Sequence, residues 1–352
     1  MNVNPVGWAS RTLAPLLRII RTSPNATVPV IAVSEPVASE TSAIINSDIA
    51  LVAKGTGATL AQVPDGTSRS GDKRGAYATD FQKVRNSATM AATGSESVIA
   101  GGRNNTASGA TSCIGGGEDN VASSTNSTVA GGSNNTCSGF RAVIGGGSIN
   151  VCSATLAVVC GGDSNSNSGE YASIVGGQNH QANSTHSFIS GGARGTTRGI
   201  IGYHVFPASN VPITNAAGVT QSALLILGRQ TTTATPAVLA SNSSAAGTAN
   251  QVILPNNSAY SFSGEVIAGV TGAGNTARWT IEGAIKRGAN AASTAMVGTP
   301  TVTMTHNDAG ASAWTVAVTA DTTNGGIKVE VTGAASTTIR WVCKINTTEM
   351  TF

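Results

Sequence analysis

Seven tandem copies of a 15-residue unit fill the middle of the chain, and they restrict its fold more than any other feature. Each unit carries a Gly-Gly pair, from Gly101-Gly102 to Gly191-Gly192, and successive pairs are 15 residues apart without an insertion. A fixed period of this kind is typical of a solenoid, in which each repeat forms one coil and like residues stack at roughly 4.8 Å. The density of Gly and Asn disfavours helix, and a flexible linker would not keep aliphatic residues in register.

One column of the repeat predicts the solenoid core. It lies two places after the small residue that opens each unit, and it is always aliphatic and β-branched. Its members are Ile99, Ile114, Val129, Ile144, Val159, Ile174 and Ile189. Such side chains suit a short strand with one inward face.

A second column predicts a ladder of turn residues. It lies four places after the first glycine and consists of Asn105, Asn120, Asn135, Asn150 and Asn165, followed by His180 and Gly195. Glycine and asparagine adopt positive φ most readily, so we expect the glycine pairs and this column to form the corners of each coil. The amides are expected to hydrogen-bond along the column.

The composition predicts self-association. Aromatic residues make up 4% of the chain and charged residues 11%, and there are 43 glycines. A coil lined by small residues buries little apolar area, so its burial barely offsets the entropy lost on ordering. We therefore predict an obligate homo-oligomer, with a homotrimer as the expected form.

Charge and cysteine content argue against several classes of function. A net charge of +3 without basic clusters predicts no nucleic-acid partner. The five cysteines show no metal-ligand spacing, so no metal and no cofactor are expected. Cys137 and Cys152 share a column. Interior packing of both as reduced thiols is favoured over a disulfide between them, as in a protein folded in a reducing cytoplasm. We expect neither a transmembrane span nor a signal peptide.

Four regions are predicted: an irregular arm (1–50), a small β cap or connector (51–96), the seven-coil solenoid (97–201) and a C-terminal β module (202–352). In the arm, Arg11, Arg18 and Arg21 among leucines and isoleucines indicate a short basic amphipathic helix, either a docking anchor or a packed helix. The cap concentrates charge that we expect to be solvated. These charged residues are Asp72, Lys73, Arg74, Asp80, Lys83 and Arg85.

The C-terminal region has many short strand-like runs separated by turns, which predict an antiparallel sandwich or a jelly-roll-like module. The runs are 223–227, 251–254, 260–270, 277–285, 301–306, 314–320, 327–331 and 338–347. Trp279, Trp314 and Trp341 fall in three of them and are expected to form the core rather than a ligand cage.

No pattern indicates catalysis. Walker A, HExxH, GxSxG and EF-hand motifs are absent from the sequence. Cleavage of a glycan needs two carboxylates at a defined separation, and the acids of the repeats are scattered over different coils. These acids are Glu118, Asp119, Asp163 and Glu170. We therefore predict no enzyme, and the sequence assigns no catalytic or receptor-binding residue.

The repeat pattern S-x-I-x-G-G-x-x-N-x-A-S-G, as in 97–109 and 127–139, resembles the head repeats of trimeric autotransporter adhesins of the YadA type. It resembles still more the Gly-Gly repeats of bacteriophage tail fibres and tailspikes. In those proteins, a block similar to 54–82 precedes the repeats and a module similar to 279–333 follows them. The resemblance implies an all-β chain: a trimeric β-roll of 15-residue coils followed by an antiparallel module.

The resemblance also implies a function: a homotrimeric tail fibre or spike that attaches a virion to the host surface without catalysis. The implied partners are other copies of the chain, tail or baseplate proteins held by the N-terminal arm, and a host glycan or protein. The chain would be made in the host cytoplasm and located in the virion tail. Two alternatives stay open, a capsular-polysaccharide depolymerase on the same scaffold and a structural decoration or connector of the virion.

Overall fold

The computed structural model describes residues 17–20, 30–33, 57–68 and 70–352, which divide into an N-terminal unit ending at Val52 and a unit from Ala53 to Phe352. In the first unit, strand β1 (Leu17–Ile20) pairs antiparallel with β2 (Val30–Val33). The predicted amphipathic helix is therefore wrong for residues 17–20. The two segments contain five β-branched residues, Ile19, Ile20, Val30, Ile31 and Val33, which favour an extended pair over a helix. The rest of the predicted attachment arm lies outside the described residues.

The second unit begins with the predicted β-solenoid, which is confirmed. Its strands are only two residues long, because each coil must turn again within a few residues. They are β3 (Thr59–Leu60), β4 (Thr79–Asp80), β5 (Val98–Ile99), β6 (Thr106–Ala107), β7 (Cys113–Ile114), β8 (Val121–Ala122), β9 (Thr128–Val129), β10 (Thr136–Cys137), β11 (Val143–Ile144), β12 (Val151–Cys152), β13 (Val158–Val159), β14 (Ser166–Asn167), β15 (Ser173–Ile174), β16 (Gln181–Ala182) and β17 (Phe188–Ile189).

Three parallel ladders run along the stacked coils. The first joins β3, β4 and the odd-numbered strands from β5 to β17, and the second joins the even-numbered strands from β6 to β16. The third consists of single bridges between the residues that follow each glycine pair, from Arg103 with Glu118 to Gln178 with Ala193. Pairing partners in consecutive repeats are 15 residues apart, so the repeat period sets the register of all three ladders.

The first ladder begins before the repeats, within the region expected to be a cap. Leu60 is in register with Asp80, and Asp80 with Ile99, so Asp80 occupies the isoleucine column. Its carboxylate is buried between two arginines: Arg74 Nε lies 2.7 Å and Arg85 Nη2 3.0 Å from Oδ2. The prediction that the charged residues of this region are solvated is therefore wrong for these three, because the carboxylate and the two guanidinium groups compensate one another inside the coil.

The first ladder also continues beyond the repeats into the C-terminal region. Strand β18 (His204–Pro207) pairs parallel with β17 and antiparallel with β19 (Thr220–Thr231). One hydrogen-bonded sheet therefore passes from the solenoid into the C-terminal region without a linker.

The C-terminal region contains all eight predicted strand runs, with ends shifted by at most four residues. Its further strands are β20 (Ala237–Val238), β21 (Val252–Ile253), β22 (Ser258–Val270), β23 (Thr276–Arg287), β24 (Ala295–Met296), β25 (Thr301–Asn307), β26 (Thr315–Asp321), β27 (Gly326–Thr332) and β28 (Ile339–Thr351). The main sheet has the order β19-β28-β22-β23, with β24 and β25 at its far edge. A smaller antiparallel sheet is formed by β20, β21, β26 and β27.

The three tryptophans are core residues. Trp341 lies between the other two, with ring centroids 5.6 Å from Trp279 and 5.8 Å from Trp314. All three are at most 3% exposed, and Trp341 Nε1 donates to Thr231 Oγ1 at 2.9 Å. They pack as part of one continuous apolar cluster that also includes the inward residues of the solenoid.

Candidate functional site

The isoleucine column forms the inside of the coils. All seven of its residues, from Ile99 to Ile189, are 0% exposed. The facing column of the second ladder is also buried, and it includes Cys137 and Cys152, which are register partners and both carry free thiols. The two cysteines thus pack as small apolar residues, as the sequence favoured.

The asparagine column forms a buried hydrogen-bond ladder, with all five members at most 1% exposed. Asn135 is representative: its Nδ2 donates to the carbonyls of Gly131 at 3.1 Å and Gly147 at 3.0 Å. Its Oδ1 accepts from the backbone N–H of Asn150 at 3.0 Å. Each amide therefore ties its own glycine turn to the next coil.

The expectation that these asparagines have positive φ is wrong. The left-handed residue is the one before each of them, as in Asn104, Asp119 and Asn134, whose φ values are 58°, 53° and 55°. The asparagine side chain itself faces inward. Its amide makes hydrogen bonds to the backbone, whereas the amide of a solvated turn residue would hydrogen-bond to water. The coil immediately before the repeats uses Gln82 in the same way, because its Oε1 accepts from Asn105 N at 2.8 Å.

His180 takes the place of asparagine in the sixth repeat and is fully buried. Its Nδ1 accepts a hydrogen bond from the backbone N–H of Gly195 at 2.9 Å. Protonation of Nδ1 would break this hydrogen bond, because two N–H donors would then face each other. Its Nε2 lies near the carbonyls of Gly176 and Gly192 without a hydrogen bond of good geometry. Burial lowers the pKa of His180 to about 4, and those two carbonyls oppose the shift only in part.

We expect His180→Asn to reduce the acid sensitivity of the fold. Because the folded-state pKa lies below the ordinary 6.5, the unfolded chain binds more protons as the pH falls. The contribution of neutral His180 to the free energy of unfolding is present in full above pH 6.5. It is lost as the pH falls from 6.5 to about 4. At pH 5 the wild type should have lost roughly 2 kcal/mol through this residue.

Urea unfolding at pH 7.5 and pH 5 measures this difference. The matched control is His186→Asn, because His186 is exposed and stacks on Tyr171 with ring centroids 4.9 Å apart. The acid-induced loss of stability should be smaller in His180→Asn than in His186→Asn. An equal acid-induced loss in wild type and His180→Asn would contradict the assignment.

A buried polar cluster connects the last coil to the main C-terminal sheet. Glu349 is 3% exposed, and its Oε2 accepts from Arg198 Nε at 3.0 Å and Gln221 Nε2 at 2.8 Å. Its Oε1 accepts from the hydroxyls of Tyr203 and Thr347. Burial, and then the charge of Glu349, raise the pKa of Tyr203 well above its ordinary value, so its hydroxyl remains a donor. We call these five residues the junction cluster.

The junction cluster was not predicted from the sequence. Arg198 and Glu349 are separated by 151 positions, and neither lies in a motif. The one available signal was that Gln221, Thr347 and Glu349 fall on the inward side of the alternation in β19 and β28. Inward polar residues in otherwise apolar positions indicate a buried network.

The outer face of the main C-terminal sheet carries a shallow groove of about 270 Å³. The groove is lined chiefly by polar side chains of β22, β23, β25 and β28, and we call it the outer groove. Its polar lining includes Ser263, Glu265, Thr280, Glu282, Lys344 and Asn346. The outer groove was not predicted from the sequence, because its residues are spread over 263–346 and only the pairing of β22 with β23 and β28, and of β23 with β25, places them together.

Two of the four acids of the repeats have side-chain partners in an adjacent coil. Glu118 pairs with Arg103 of the neighbouring coil at 2.6 Å on the surface, and Asp163 accepts from Gln178 at 3.2 Å. In the described part of the chain, no three His, Cys, Asp or Glu side chains come together as a metal site would need. Over the same residues, no helix has the length and apolar character that crossing a bilayer requires.

No family model matches the sequence, and no curated protein matches it. Among solved structures, the chain is similar to the tailspike protein of an Acinetobacter phage, at 11% identity and a TM-score of 0.18. The match covers 78% of this chain and 62% of that one, so this chain spans less than two thirds of the tailspike's length.

Proposed function

We propose that the chain is a homotrimeric tail fibre or spike of a tailed bacteriophage, which attaches the virion to the host surface without catalysis. The observation that carries the proposal is the order of the three blocks whose sequences resemble phage fibres: 54–82, the Gly-Gly repeats, and 279–333. The continuous sheet through β17, β18 and β19 supports it, because a rigid shaft hydrogen-bonded to a terminal module suits a rod that presents a binding domain.

In this proposal the solenoid is a YadA-like β-roll, and the two antiparallel C-terminal sheets form a sandwich that contacts the host. The N-terminal arm binds a tail or baseplate protein. Three copies per fibre, and several fibres per virion, would multiply weak contacts into stable attachment.

Trimerisation is supported by a face of the solenoid that carries no charge in any of the seven repeats. It consists of the two outward columns on either side of the isoleucine column, and we call it the uncharged face. Its residues are Val98, Ala100, Cys113, Gly115, Thr128, Ala130, Val143, Gly145, Val158, Cys160, Ser173, Val175, Phe188 and Ser190. Such a long face without charge is typical of a surface that packs against another copy.

Two measurements test the proposal. Light scattering after size exclusion should give three times the mass of one chain. Fluorescently labelled full-length protein should bind a subset of bacterial strains, and excess unlabelled protein should block adsorption of the phage that encodes it to those strains. A stable folded monomer, or unaffected phage adsorption, would contradict the corresponding part of the proposal.

Glycans from the same strains can be used to distinguish a depolymerase from an adhesive fibre. Glu265 and Glu282 lie in one groove, which is the observation that favours this alternative. Release of reducing ends from host glycans, abolished by Glu282→Gln, would identify an enzyme. Binding without release is expected from an adhesive fibre.

A further inference from the structure

We infer that the outer groove binds an uncharged saccharide chain. This inference rests on the proposed host-attachment function and assigns the receptor class and the residues that contact it. It is carried by the groove's shape, by the balance of donors and acceptors in its lining, and by its charge.

The register of the paired strands places the residues of the groove in two adjacent rows across the sheet. Asn346, Ser263 and Glu282 are consecutive partners across β28, β22 and β23, and Thr301 of β25 continues the row. The neighbouring row contains Lys344, Glu265 and Thr280. Side chains of adjacent rows on one face are within reach of a common ligand.

The floor of the groove is fixed by the same sheet. It is formed by Gly264 and Ile281, and a Cβ on Gly264 would lie 2.4 Å from the carbonyl oxygen of Lys344. The strands therefore pack closely beneath the ligand position, and the polar groups stand on a rigid base. A preformed base lowers the entropy lost on binding.

An adjoining depression of about 80 Å³ extends the groove along the same face. It adds the hydroxyl groups of Ser222, Ser261 and Thr348, while Ser263 and Asn346 line both depressions. The combined site is elongated and open, which suits several units of a chain better than one compact small molecule.

The chemistry of the lining fits sugar hydroxyls. A sugar presents adjacent hydroxyls that both donate and accept, so it is best met by carboxylates, amides, hydroxyls and an amine together. Glu282 and Lys344 form no ion pair with any described residue, which leaves both available to a ligand. Charge-assisted hydrogen bonds from such groups are the stronger contacts expected in this site.

The charge of the site selects against ionic ligands. Glu265 is paired with Arg278 at 2.8 Å, and Glu282 is balanced by Lys344 on the same face. The groove thus has no net charge to attract an anionic or a cationic polymer. We therefore expect uncharged saccharides to bind in preference to uronic-acid- or sialic-acid-containing ones.

A glycan microarray probed with the labelled full-length protein tests the inference. The array should carry both uncharged and acidic oligosaccharides, and the expected signal lies on a subset of the uncharged ones. Glu282→Gln and Asn346→Ala should each reduce that signal at least tenfold. The matched control is Glu330→Gln, which removes a carboxylate of the smaller sheet whose side chain is 32% exposed, and it should leave the signal unchanged.

Circular dichroism and size exclusion on each variant separate loss of binding from loss of structure. A signal confined to acidic glycans, no glycan signal, or equal signals for wild type and groove variants would overturn the inference. A change of oligomeric state in the groove variants would overturn it too, because the groove would then be a contact between copies. If the protein still adsorbs to cells in any of these cases, the proposed function stands while the groove assignment falls.

Discussion

Replacing Gly132 by alanine is expected to break the stacking of the solenoid, whereas the same change at its neighbour Gly131 is expected to be tolerated. Gly132 has φ +88°, and a Cβ there would lie 2.1 Å from the carbonyl oxygen of Gly147 in the next coil. The same Cβ would lie 2.8 Å from Asn135 Nδ2, the donor of the asparagine ladder. Alanine therefore combines an unfavourable backbone conformation with a collision between its methyl group and the backbone of the next coil.

The expected cost is roughly 4 kcal/mol or more, since backbone strain and overpacking add at one position. A Cβ on Gly131 meets no atom within 4 Å, and this glycine is outside the positive-φ region. Gly131→Ala should therefore stay within about 1 kcal/mol of wild type.

Urea denaturation followed by circular dichroism measures both variants under identical conditions. The two substitutions add the same methyl group one residue apart, so composition and helix propensity cancel. Similar midpoints for Gly131→Ala and Gly132→Ala would show that the coils do not stack as closely as described.

The second large effect is expected at the junction cluster, where Glu349→Gln should strongly destabilise the protein. The glutamine keeps the shape of the side chain but removes the charge that faces Arg198, whose side chain is only 10% exposed. It also replaces one acceptor oxygen by a donor that would oppose the Tyr203 hydroxyl or Gln221 Nε2. Leaving one buried charge without its partner typically costs about 3–5 kcal/mol.

Glu265→Gln is the matched control for this prediction. Glu265 also pairs with an arginine in the main sheet, but its side chain is 52% exposed, and such surface pairs contribute at most about 1 kcal/mol. Thermal unfolding should separate the two variants clearly. The double variant Glu349→Gln with Arg198→Met should be less destabilised than the sum of the single variants, because it leaves no unpaired charge. Additive effects would contradict the ion pair.

Individual residues show how far the sequence predicts the structure. The repeat predicted the inward position of Ile144 and the ladder of Asn135, because both follow from the same local pattern occurring in adjacent coils. The alternation of residues in β22 and β23 likewise predicted the strands and the burial of Trp279. The φ of Asn135 was predicted wrongly, since residue preference alone does not show whether a side chain faces the core or the solvent.

The charged residues were predicted less well. Asp80 was expected in solvent, but it lies in the isoleucine column between Arg74 and Arg85. Leu17–Ile20 was likewise predicted wrongly, since the sequence indicated a helix and the structure forms a strand. In both segments the outcome depends on a partner segment that the local sequence does not identify.

The sequence by itself determined the period, the inward aliphatic column and the β character of this protein. Contacts between coils join residues 15 apart, so the repeat period identifies the pairing partner of each residue. Only the tertiary structure decided the continuous sheet from the solenoid into the C-terminal region, the junction of Arg198 with Glu349, and the outer groove. Those features join segments that are not repeats of one another, across long closed loops, and their register is selected by packing of the whole module rather than by any local pattern.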